Sequence, residues 1–151
     1  MATLERAIEI AAHAHRNQTD KAGNPYIAHP FRVALGFIRR GDEERAIIAV
    51  LHDVIEDTNI TGLDLLRKGF SPAIVEAVKA LSRDEGETYE AFIERAAANP
   101  LARPVKAADL IDNMDAARLG RLPRDQAAKL TKKYEGALGR LGICTEAGSD
   151  Q

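Results

Sequence analysis

The chain is poor in several features, and each shortage removes a class of function. It holds one cysteine, Cys144, so no internal disulfide can form and a reducing cytosol is the expected compartment. No block of five or more basic residues occurs, and 21 Lys+Arg stand against 23 Asp+Glu for a formal net charge of −2. Long nucleic acid therefore has no electrostatic footprint here, although a small anion needs only a few local cations. The strictly apolar run at the centre of the chain, Ala46 to Leu51, is far short of the ~20 residues a membrane helix needs. The opening Met1-Ala-Thr-Leu-Glu-Arg carries charge where a signal peptide is apolar. No solenoid-length repeat, low-complexity segment or strand-like alternation is visible. What remains is 45% hydrophobic and 29% charged, the balance of a soluble globular domain, and one core can serve all 151 residues.

Apolar residues recur at three- and four-residue steps, which predicts an all-α fold. A single helical bundle is expected over residues 1–144, with a loose tail from 145 to 151. The first helix should run from Leu4 to Gln18, followed by a turn-rich loop to Pro25. The second starts near His29-Pro30 and ends before Gly41. Asp42 should cap the third, with Glu43 and Glu44 in its first turn. Thr61 and Ser71-Pro72 open the next two, and Gly69 separates them. Helices from Thr88 to Ala98, from about Pro104 to Leu119 and from Pro123 to Leu141 complete the set.

The third helix carries the chemistry. Extended past Leu51 at about 100° per residue, it puts His52, Asp53, Glu56 and Asp57 on one arc, with Val54 and Ile55 on the other. An ordinary surface helix would show the same partition. No lysine or arginine accompanies these acids, however, and carboxylates crowded around an imidazole repel one another unless a positive group sits among them. A divalent metal ion is the economical candidate. His29 lies at the mouth of the second helix, and Lys106, Asp109 and Asn113 share a helical face at i, i+3 and i+7. Two imidazoles and two carboxylates form a mixed N/O set suited to manganese, iron or zinc rather than calcium.

Three ordered motifs carry a family resemblance. The segment Ala14-His15-Arg-Asn-Gln18-Thr-Asp20-Lys21-Ala-Gly-Asn-Pro25-Tyr-Ile-Ala-His29-Pro30 resembles the opening of the RelA/SpoT-type HD-domain hydrolases. So do Leu51-His52-Asp53-Val-Ile-Glu56-Asp57-Thr58 and Val105-Lys106-Ala-Ala-Asp109-Leu-Ile-Asp-Asn113. The length is similar to that of the family's small stand-alone members, including the metazoan SpoT-like enzymes. The resemblance implies an HD-domain bundle with one divalent metal, usually Mn²⁺, on His29, His52, Asp53 and Asp109. It implies that Glu56 and Asp57 manage the attacking water, while Lys21, Asn113 and Tyr134 line a nucleotide pocket. Lys106 is a further candidate to neutralise substrate phosphate. The implied partner is a small nucleotide, and the implied reaction removes pyrophosphate from the 3′ position of guanosine tetra- or pentaphosphate, (p)ppGpp. Where the family often has Arg-Lys, this chain has Asp20-Lys21, losing a stacking plane and a positive charge. Two alternatives remain open: a phosphatase acting on another nucleotide, such as the ribose phosphate of NADPH, and a catalytically silent binding module.

The remaining polar residues have plainer readings. His13 and His15 are read as structural rather than as a second metal site, and Asp112 as a solvated acid or one standing behind a ligand. Cys144 has no nearby histidine motif and is not read as a nucleophile.

Overall fold

The computed structural model describes residues 1–143; Cys144 and the expected tail lie outside them. Among the described residues there are ten helical segments and no strand, only an isolated bridge between Thr19 and Pro25. The all-α expectation holds.

Side-chain caps set most helix starts. Thr3 accepts from the amide of Arg6 to open α1 (Leu4–Ala14), and Asp42 accepts from that of Arg45 to open α3 (Glu43–Leu51). Thr61 and Asp64 form a reciprocal capping box at α5 (Gly62–Arg67), which ends before Gly69 at φ +95°. Ser71 with Pro72 opens α6 (Pro72–Ala80), and Thr88 opens α7 (Tyr89–Ala98). The second helix, α2, spans Ala28–Arg39, and the last, α10, spans Arg124–Arg140.

Three helices differ from the sequence-based expectation. The first stops at Ala14, four residues early, because Asn17 adopts φ +66° and the chain turns into the 18–27 loop. The helix expected from Asp42 through Asp57 is broken after Leu51. There the His52 ring donates from Nδ1 to the Ala49 carbonyl at 2.6 Å, a carbonyl that a continuing helix would offer to the Asp53 amide. A short α4 (Val54–Asp57) resumes beyond the break. The helix expected to reach Leu119 is also two. The first, α8 (Ala102–Asn113), is capped by Asn99, whose Oδ1 accepts from the amides of Leu101 and Ala102. The second, α9 (Ala116–Leu119), starts where Asp115 Oδ1 accepts from the amides of Ala117 and Arg118.

Helix α3 is the axis of the molecule. All six residues from Ala46 to Leu51 are buried, so it is apolar all round rather than amphipathic. α1, α2, α6 and α8 pack on it. A smaller core joins Phe92, Ile93, Leu110 and Leu138 from α7, α8 and α10. Arg103 ties α10 to α8 by donating from Nε and a terminal nitrogen to the Leu141 carbonyl, at 2.8 and 2.6 Å. With α3 locked on every side, the residues at its C-terminal end are held against α2 and α8, where the other motif residues sit.

Among the described residues, no helix is long and apolar enough to cross a membrane.

Candidate metal centre and substrate cleft

His29 on α2, His52 at the end of α3, Asp53 at the break and Asp109 on α8 converge on one point. His29, His52 and Asp53 each present a ligand atom within 4.8 Å of the other two. Asp109 completes the group, its Oδ1 lying 2.8 Å from His29 Nε2 and 3.4 Å from His52 Nε2. All four residues are buried or nearly so.

The donor set fits a divalent metal. His52 spends its Nδ1 proton on Ala49, which turns Nε2 toward the carboxylates, and that buried Nε2 makes no hydrogen bond. A buried nitrogen left unsatisfied is costly. An imidazole lone pair aimed between Asp53 and Asp109 is what a metal would engage, and N/O ligation of this kind suits manganese, iron or zinc. Without a metal a proton takes that place: burial disfavours the charged form of His52, yet Asp53 and Asp109 outweigh it and hold the imidazole well above its usual range. Asp109 is the converse. Burial would raise it, but Lys106 and the two imidazoles hold it well below the carboxylate range.

The fold supplies what the local sequence lacks. Lys106 Nζ, buried against the Phe92 ring, reaches Asp109 Oδ2 at 2.7 Å, so the acids do have one protein cation. Its ammonium is committed to Asp109 on the floor of the cleft. Asn113 Nδ2 donates to Oδ1 of the same carboxylate at 3.3 Å, so the i, i+3, i+7 face acts as one unit. Tyr26 donates from its hydroxyl to Asp53 Oδ2.

A cleft of about 340 Å³ opens over this point, lined by Glu56, Asp57, Asn113 and Arg118 besides the residues already named. Glu56 is exposed at its lip, with Oε1 accepting from the Arg83 amide at 3.0 Å. Asp57 beside it is pushed up to about 6 by burial and by the charges of Asp53 and Glu56. A second cleft of about 270 Å³ is lined by Asp20, Lys21, Leu119, Leu122, Leu130 and Tyr134. Tyr26, Asn113 and Arg118 line both, so the two are halves of one groove. Asp20 is half-buried at its edge, and its Oδ1 accepts from the amides of Ala22 and Asn24, both at 2.9 Å.

Of the two histidines on the first helix, His15 is buried against Tyr26 and bonds Gln18, while His13 is exposed and contacts Arg16. Four site neighbours escaped the sequence reading: Tyr26, Arg32, Arg83 and Arg118. Arg32 follows His29 at i+3 on α2, a spacing that places side chains on one helical face and was available as a signal, whereas Tyr26 sits in the turn before that helix. Arg118 and Arg83 reach the site only through tertiary turns.

Comparison with known proteins identifies the family. The HD domain family model matches residues 7–100, which include His29, His52 and Asp53. A guanosine-3′,5′-bis(diphosphate) 3′-pyrophosphohydrolase of Aquifex aeolicus is 32% identical over 151 residues, covering 93% of this chain and 22% of that one. The bifunctional (p)ppGpp synthase/hydrolase SpoT of Escherichia coli is 32% identical over 156 residues, with the same coverage. A probable GTP pyrophosphokinase of Mycobacterium leprae is 33% identical, covering 88% of this chain and 18% of that one. The chain thus spans about a fifth of the length of these curated relatives. A solved structure described as a metazoan ortholog of SpoT that hydrolyzes ppGpp superposes with a TM-score of 0.78 and 25% identity, covering 93% of this chain and 86% of that one. The chain belongs to the HD domain family.

Proposed function

We propose that this chain is a metal-dependent phosphohydrolase that removes pyrophosphate from the 3′ position of guanosine 3′,5′-bis(diphosphate). The observation that carries the reading is the continuity of the metal cleft with the Lys21–Tyr134 cleft through Tyr26, Asn113 and Arg118. A nucleotide lying along this groove has its phosphates at the His/Asp cluster and its base against Leu119, Leu122 and Tyr134. The names borne by the relatives favour this substrate over other phosphate esters. The compartment we assign is the cytoplasm, which suits a chain with a single cysteine.

His29, His52, Asp53 and Asp109 would hold the metal, for which we favour Mn²⁺. When bound, it supplies Lewis-acid polarisation of the phosphate and acidifies nearby water. Tyr26 fixes Asp53 by donating to Oδ2, and Lys106 fixes Asp109 from the opposite side. Glu56, anchored at Oε1 by Arg83, accepts a proton from the attacking water, and Asp57 holds that water in place. The water oxygen bonds to the phosphorus attached at the 3′ position, and the bond from that phosphorus to the 3′ oxygen breaks. The proton held on Glu56 is then available to the departing 3′ oxygen, leaving GDP and pyrophosphate. Lys21 and Arg118 meet the phosphate charge from the second half of the groove.

The test is incubation of the purified protein with guanosine tetraphosphate and Mn²⁺, with and without chelator. GDP and pyrophosphate should appear by mass spectrometry only in the chelator-free arm. Rapid release of inorganic phosphate from another nucleotide, with none of these products, would reject the substrate while keeping the metal chemistry. No hydrolysis of any nucleotide would favour the silent binding module.

A further inference from the structure

We infer that Asp112 is the positioning residue for His29, and that Arg32 and Arg118 hold it in that role. The inference rests on the metal-centre reading above and extends it to residues beyond the ligand set.

His29 is buried, and its two ring nitrogens face two different carboxylates. Nε2 points at the metal centre, 2.8 Å from Asp109 Oδ1. Nδ1, on the far edge of the ring, lies 2.6 Å from Asp112 Oδ2. With its carboxylate beyond the far edge of the imidazole, Asp112 is placed to accept the Nδ1 proton, which leaves the Nε2 lone pair for the centre. His52 is held differently, because its Nδ1 donates to the neutral carbonyl of Ala49. The two imidazoles are therefore unequal. A carboxylate behind a histidine fixes its tautomer and raises its basicity more than a carbonyl does.

Asp112 is itself held from two sides. Arg32, one turn after His29 on α2, donates from Nε to Oδ1 at 2.8 Å and from a terminal nitrogen to Oδ2 at 3.2 Å. Arg118 donates to Oδ2 at 2.6 Å and to the Asp112 backbone carbonyl at 3.3 Å. The side chain of Asp112 keeps only 13% of its exposure. A carboxylate so enclosed, one turn from Asp109, is destabilising unless paired, and with either cation alone it remains paired. Because Arg118 also lines both halves of the groove, this strut joins the imidazole to the wall of the substrate cleft.

The competing role is a mere clamp of α2 onto α8, and the two are separable. Metal affinity is measured by chelator competition on Asp112→Ala, Asp112→Asn and Arg32→Ala, alongside thermal stability. Asp112→Ala should weaken metal binding by about 10–100-fold. Asp112→Asn, whose amide oxygen still accepts from Nδ1, should recover much of that loss. Arg32→Ala cuts the interhelical bridge but leaves Asp112 on His29, so it should lower stability with far less effect on affinity. Equal losses of affinity in Arg32→Ala and Asp112→Ala, or no loss in Asp112→Ala, would overturn the inference. A second readout needs no metal: proton spectra of the metal-free protein should show the His29 Nδ1 proton shifted downfield by its bond to Asp112, and Asp112→Ala should abolish that shift. Should the wild type bind no metal, the metal-centre reading falls, while an unchanged His29 Nδ1 proton signal in Asp112→Ala would independently reject the role of Asp112.

Discussion

His52 and Asp53 are consecutive, yet His52 Nε2 and Asp53 Oδ2 lie 3.0 Å apart and face the same buried point. In a regular helix adjacent side chains diverge by about 100°. The break after Leu51 removes that divergence, and the His52–Ala49 bond holds the break open. A sequence that continued the helix smoothly through this point would place Asp53 away from His29.

The metal centre gives the first prediction. His52→Ala and Asp53→Ala should each lose the metal that copurifies with the wild type, measured by elemental analysis. In the wild type, chelator should lower the melting temperature, because a ligand bound only to the native state stabilises it by mass action. Full metal occupancy in both variants would reject the ligand assignment.

Glu56 and the ligands can be separated kinetically. Glu56→Gln keeps side-chain size and an acceptor oxygen for the Arg83 amide while removing the base. Metal content and substrate affinity should persist, and turnover should fall by about 10²–10⁴-fold. Normal turnover in this variant would leave Glu56 without a role in proton transfer.

Asp57 shows the opposite of stabilisation. Folding raises its carboxyl to about 6, so the folded state favours the protonated form. An unfolded aspartate titrates near ~3.9. The native state therefore loses stability as pH rises through this interval, and the loss is complete above about 6. Asp57→Asn should thus raise the melting temperature of the metal-free protein at pH 7.5, and the gain should shrink toward pH 4. An equal gain at both pH values would mean that packing, not charge, is responsible. Binding sites commonly tolerate such local instability where function requires a charge.

The sequence made much of this legible, and the exceptions have physical causes. Caps at Thr3, Asp42, Thr61, Ser71 and Thr88 are local chemistry, so the starts of those helices could be read from a few residues. His29, His52, Asp53 and Asp109 could be proposed from the sequence because the three ordered motifs that carry the family resemblance are one-dimensional properties. The breaks at His52–Asp53 and Met114–Asp115 could not, because each depends on a side chain displacing a backbone bond in a pattern that periodicity does not register. Lys106 illustrates the limit of charge counting. The acids of α4 have no cation nearby in sequence, but the fold brings one from about fifty positions away to the neighbouring Asp109.

Asp20 supplies the last prediction, because its environment changes the experiment that the sequence invites. Replacing it by arginine would supply the positive charge that the resemblance leads one to expect in the groove. It would also remove the carboxylate that accepts from the Ala22 and Asn24 amides and shapes the loop carrying Lys21. Asp20→Asn is the cleaner change, since the amide oxygen can accept the same two bonds while the negative charge disappears. Asp20 lines the same groove as Lys21 and Arg118, so removing its charge lowers the repulsion that substrate phosphate would meet there. Two unit charges a few ångströms apart at a wet surface interact by about 1 kcal/mol, which corresponds to roughly fivefold in affinity. The Michaelis constant for guanosine tetraphosphate should fall by that order with turnover unchanged, the signature of binding shared equally by ground and transition states. Asp20→Arg should gain less than its added charge suggests, because the loop loses both bonds. A higher Michaelis constant in Asp20→Asn would instead show that the carboxylate contacts the substrate, and would point to a ligand group that donates hydrogen bonds at this edge of the groove.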